Sequence, residues 1–134
     1  MRLTATMLLI STATAACSDA PVLLASQAVA SPDSNWVAVV EELDNGLGFG
    51  LGALYSEVHV VRANSPPSSH GNSSNSVVFY TNVSDYRSSQ PAVSVQWLTP
   101  THLRVAYAKS LVPGKRLAAL AAITVEYSAK VEQP

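Results

Sequence analysis

Apolar and polar residues alternate with period two along most of this chain, a pattern that predicts strands and not helices. Between Ala92 and Leu98, the residues Val93, Val95 and Trp97 fall on one side and Ser94 and Gln96 on the other. His102 to Ala108 repeats the pattern, with Leu103, Val105 and Tyr107 opposed to His102 and Arg104. The intervening Thr99-Pro100-Thr101 is short enough for a hairpin turn. Tyr55 to Arg62 sets Val58 and Val60 against Glu57 and His59, and Val77 to Val83 groups Val77, Phe79, Thr81 and Val83. Trp36 to Leu43 is rich in β-formers and follows the turn residues Pro32-Asp33-Ser34-Asn35. Leu117 to Val131 opens on an alanine-rich turn and ends with Ile123, Val125 and Tyr127 alternating with Thr124, Glu126 and Ser128. One apolar face per strand predicts an all-β, mainly antiparallel fold. The expected form is a small β-sandwich or barrel-like meander of about six strands.

Two stretches break the alternation. Ala63 to Ser76, rich in Ser, Asn and Pro, reads as a solvated loop. Asp44 to Ala53 interleaves Gly46, Gly48, Gly50 and Gly52 with Leu47, Phe49 and Leu51. Gly48-x-Gly50-x-x-Ala53 fits a dinucleotide-binding fingerprint in letters only, because that motif must open a helix and here a β-rich run follows. A flexible hairpin connection is the simpler reading. Leu47, Phe49 and Leu51 are then the candidate partner-binding residues of an exposed apolar loop. Val112-Pro113-Gly114-Lys115-Arg116 reads as a turn, lacking the flanking residues of a phosphate loop. Lys109, Lys115 and Arg116 gather around it and would suit an anionic envelope polymer, although charges on turns usually just face water.

Composition narrows the chemistry. The formal net charge of −1 is too balanced for a nucleic-acid binder, which needs a basic face. Glu41, Glu42 and Asp44 form the one acidic cluster, yet adjacent strand residues point to opposite faces, so Glu41 and Glu42 should not share a site. His59, His70 and His102 lie on separate elements without short-spaced His or Cys partners, so neither a metal site nor a cofactor is expected. Ser, His and Asp are present, but no Gly-x-Ser-x-Gly elbow positions a nucleophile. With no convergent catalytic set, the expectation is a protein that is not an enzyme. Trp36, Trp97, Tyr107 and Tyr127 are expected in the core.

The amino terminus has a different character. Arg2 precedes the uncharged stretch Leu3 to Ile10, then Ala13-Thr14-Ala15-Ala16, then Cys17, the single cysteine of the chain. That order matches a secretory signal, and the apolar run is too short to span a bilayer. A cysteine placed directly after the small residues resembles the lipobox of bacterial lipoproteins. The resemblance implies a signal peptide at 1–16, a lipidated tether at 17–31 and a single β domain at 32–134. It also implies lipid attachment at Cys17, several acyl chains making the anchorage lasting. Ser18 after the cysteine suggests the periplasmic face of the outer membrane, with the membrane engaged through the lipid.

Ser31-Pro32-Asp33-Ser34-Asn35-Trp36-Val37-Ala38 resembles the Ser-Pro-Asp-Gly opening of a family of small bacterial lipoproteins and exported proteins. Ser34 stands where that family has glycine. Gln96-Trp97 followed by a short turn and Leu103-Arg104-Val105-Ala106-Tyr107 is similar to the family's second signature, Trp, turn, Leu-x-Val-x-Tyr. The family carries no established activity. The expectation is an anchored domain that binds an envelope protein or envelope polymer. An inhibitor or immunity-type lipoprotein acting on an envelope hydrolase such as lysozyme, and a small-ligand carrier, are the alternatives.

Overall fold

A computed structural model describes residues 21–46, 53–65 and 75–131. These form nine strands: β1 (Val22–Ala30), β2 (Trp36–Asp44), β3 (Leu54–Arg62), β4 (Val77–Asn82), β5 (Val93–Thr99), β6 (His102–Ala108), β7 (Pro113–Arg116), β8 (Ala119–Leu120) and β9 (Ile123–Lys130). They build two stacked sheets, one ordered β1-β2-β3-β4-β7 and the other β5-β6-β9-β8. All pairings are antiparallel except β6 with β9, which run parallel. The all-β expectation holds, and of its two forms the architecture is the sandwich.

The core lies between the sheets and is made by the alternation itself. Ala38, Val40, Val58, Val60 and Phe79 from one sheet meet Val93, Leu103, Val105, Ile123 and Val125 from the other. Phe79 packs its ring 5.3 Å from Tyr107 and 5.8 Å from Tyr127. Trp36 and Tyr107 are buried, and Trp97 and Tyr127 pack partly buried against the same cluster. The expected face of β4 is corrected by a bulge. The register slips between Val58 and His59, so Val58 faces Phe79 and His59 faces Val77. Val77 therefore joins the outer face, and Val78 enters the core in its place.

Three strands exceed the expected six, and each was hidden for a physical reason. The stretch expected as tether is, from Val22 to Ala30, an edge strand paired along its length with β2. An edge strand needs no buried face, so it carries little alternation; most of β1 is exposed. The run 113–116, expected as a turn, is β7, paired with β4. Gly114 permits this approach, since a Cβ there would lie 2.9 Å from the Tyr80 ring. The third, β8, is too short for any periodicity, and it joins β9 through Ala121-Ala122.

The turn into β2 is built by its own side chains. Ser31 Oγ donates to Asp33 (2.7 Å) and accepts the Trp36 N–H (3.0 Å). Asp33 also accepts from the Asn35 backbone and side chain. These bonds, that from Ser31 first, hold the Asp33 carboxyl below its ordinary pKa. Ser34 sits at φ 59°, the left-handed region that glycine would occupy without strain.

Candidate functional site

The strand register decides where polar side chains gather. Antiparallel partners share a face, so Val29, Gln27 and Ala25 of β1, opposite Ala38, Val40 and Glu42 of β2, all point to the inner side of the sheet. Over most of β2 that side is closed by the second sheet. Near Ala25, Gln27 and Glu42 it is not, because β5 starts only at Val93 and the chain reaches it along Tyr86 to Ala92. An open-sided cleft of about 420 Å³ results, lined by Ala25, Gln27, Val40 and Glu42 on one wall and by Tyr86 and Ser88 to Val93 on the other. The second wall is braced internally: Tyr86 donates its hydroxyl to the Gln90 carbonyl (2.8 Å), and the Gln90 N–H donates to Ser88 Oγ (3.2 Å). Above the cleft, Trp97 Nε1 donates to the Val29 carbonyl (2.9 Å) and ties β5 to β1.

The Glu42 side chain lies partly buried in this cleft and makes no hydrogen bond or ion pair to the described residues. Its cross-strand neighbour Ser56 is fully buried, and Ser56 Oγ has no hydrogen-bond partner. A buried hydroxyl in that state costs about 1–3 kcal/mol.

The outer face of the same sheet carries the second cluster. Glu41 and Glu57 are cross-strand partners there, with His59 two places along β3. His59 Nε2 lies 3.1 Å from Glu57 and 3.5 Å from Glu41, and Nδ1 lies 3.1 Å from Ser76 Oγ. One tautomer satisfies the ring, Nε2–H donating to a carboxylate and Nδ1 accepting from Ser76. His59 and Glu41 are buried at 8% and 9% exposure, so these polar groups serve one another. Tyr55 packs its ring tilted against that of Tyr80 (5.4 Å), and burial first, then the negative charge of Glu57, raises its hydroxyl pKa.

On the outer face of the other sheet, Glu126 receives Arg104 Nε at 2.5 Å and has His102 Nε2 at 3.2 Å. The hydrogen bond from Arg104 is the main cause of a lowered Glu126 pKa. This network is exposed and solvated. Among the described residues no group of three or more His, Cys, Asp or Glu is arranged to hold a metal ion.

The sequence-predicted site residues divide sharply. Cys17 and the loop residues Leu47, Phe49 and Leu51, with His70, lie outside the described residues. Glu41 and Glu42 point to opposite faces, as alternation requires. His59 is on the polar face, but buried among partners from β2 and from the start of β4, which sequence spacing did not reveal. The cleft was also missed. Its one signal was the Gln27 and Ala25 alternation in a stretch read as tether. The chain matches no protein-family model, no curated protein and no solved structure.

Proposed function

We propose that this chain is a lipid-anchored protein of the bacterial cell envelope whose sandwich is a binding module and not an enzyme. The address rests on Arg2, the apolar run and Cys17. The binding role rests on one observation: the side of the sandwich formed by β1 and β5 is open, with a cleft of about 420 Å³ beside it. Clefts with a few convergent polar groups are where partners dock. The polar cluster around His59, by contrast, is satisfied internally and buried.

Because β1 begins at Val22, the chain between Cys17 and the sheet can span at most about 18 Å. An anchor at Cys17 would thus hold the open side close to the membrane surface, shorter in reach than a free tether to residue 31.

Two measurements test the reading. Cells fed a labelled fatty acid should label the protein, and Cys17→Ser should abolish the label; an unlabelled wild type would remove the anchor. Photo-crosslinkers at Gln27 and Ser89 should capture an envelope component, whereas one at Thr124, on the far face, should not. Capture only from Phe49 would move binding to the glycine-rich segment. A captured hydrolase that the protein inhibits would identify the inhibitor alternative.

A further inference from the structure

We infer that the open side takes an extended peptide strand, added to β1 at Ser26 and Ala28, with a lysine or arginine side chain reaching Glu42. The inference rests on the binding-module reading and names the partner's chemistry.

The backbone argument starts from the hairpin that joins β1 to β2. Ser31 N–H donates to the Trp36 carbonyl, so Ser31 turns its backbone groups toward β2. Along an antiparallel ladder the orientation alternates, so Val29, Gln27 and Ala25 also turn toward β2, and Ala28 and Ser26 turn their N–H and C=O groups outward. Among the described residues no strand pairs with these groups, which leaves a sheet edge that can template strand addition. Its length is bounded. Trp97 occupies the Val29 carbonyl at one end, and the register slip between Leu23 and Ala25 ends the regular ladder at the other. Two outward residues remain between them, enough for a short added segment.

Side-chain geometry sets the specificity. A residue added opposite Ala25 would direct its side chain to the inner face, into the cleft that Ala25, Gln27 and Glu42 line. Glu42 sits on the next strand, opposite Ala25. Two strand spacings of about 4.8 Å separate the added backbone from that of β2, roughly 10 Å, which a Lys or Arg together with a Glu side chain bridges. Ala25 is too small to stand between them. The carboxylate is partly buried and unpaired, so a cation arriving there gains a charge-assisted hydrogen bond with little competing interaction to displace.

A second copy of this chain does not fit as well. The sequence of β1, Val-Leu-Leu-Ala-Ser-Gln-Ala-Val-Ala, carries no cation, so self-pairing would leave Glu42 without a partner. The chemistry selects a foreign, basic, extended segment.

The test uses the full chain in detergent and a fluorescent peptide of alternating Thr and Val carrying one lysine. The expected result is saturable binding, about tenfold weaker when the peptide lysine is glutamine. Glu42→Gln should erase that difference. Ala28→Pro should abolish binding of both peptides while leaving the fold intact, because the lost N–H faces outward and makes no ladder bond to β2. Backbone N-methylation of the peptide should do the same without altering the protein. Equal affinity for the lysine and glutamine peptides overturns the inference, as does competition by acetyl-lysine amide at the peptide's own potency. Crosslinking from Gln27 and Ser89 without peptide binding leaves the binding module standing and removes the strand proposal. Peptide binding without fatty-acid labelling does the reverse, keeping the strand site and removing the anchor.

Discussion

The two sides of the sandwich are closed by different means. On the β7–β8 side the chain itself crosses between sheets. Leu117 donates to the Val78 carbonyl and Val125 donates to that of Ala118, each at 2.9 Å, so consecutive residues bond to opposite sheets. Tyr127 reinforces the corner, its hydroxyl 2.7 Å from the Leu117 carbonyl and 2.9 Å from that of Val78. On the β1–β5 side the chain arrives from β4 by the long segment 83–92, no backbone turn among the described residues joins the two edge strands, and Trp97 with Val29 supplies the one side-chain hydrogen bond between those edges among the described residues. A covalent corner keeps two sheets together at little entropic cost, whereas an edge held by one indole can leave room for a ligand. The lesson is that stability is concentrated on one side and accessibility on the other.

Experiments can break this contrast in order of effect. Phe79→Ala, which empties the packing between Tyr107 and Tyr127, should destabilise the fold by about 3–5 kcal/mol in urea unfolding. Tyr127→Phe should cost about 1–3 kcal/mol by leaving the Leu117 carbonyl without its donor. It also carries a pH signature. Burial pushes the Tyr127 hydroxyl from 10.0 up to about 12. A phenol whose folded pKa is raised contributes its stability fully below the unfolded value and loses it as pH rises toward the folded one. Stability should therefore fall between pH 10 and about 12, and Tyr127→Phe should flatten that limb, leaving the smaller share from Tyr55.

On the open side, Trp97→Phe should cost only about 1 kcal/mol globally. Its sharper readout is hydrogen exchange: amides of Val22–Ala30 should exchange faster while those of β4 and β9 do not change. Ser56→Ala, which removes the unpartnered buried hydroxyl, should stabilise by about 1 kcal/mol in thermal unfolding. The smallest gains should come from Ser34→Gly and Ala121→Gly. These residues lie at φ 59° and 51°, and relief of left-handed strain, partly offset by the entropy of glycine, leaves under about 1 kcal/mol each.

Alternation alone carried the inward faces of β3, β5, β6 and β9, because a buried face must be apolar and the strand period is two. It also separated Glu41 from Glu42. Ser31, Asp33 and Asn35 marked the turn into β2 because their short polar side chains bond the nearby backbone. Tertiary structure decided everything that depends on which strands become neighbours. Glu41, His59 and Ser76 meet only because β2, β3 and β4 are adjacent. The strand β1 is a strand only because β2 offers it an edge, and β7 only because Gly114 fits against Tyr80. The cleft exists only because β5 begins too late to cover Glu42. Side-chain periodicity is a local property written residue by residue, while pairing partners and uncovered edges arise from contacts between segments far apart in the chain.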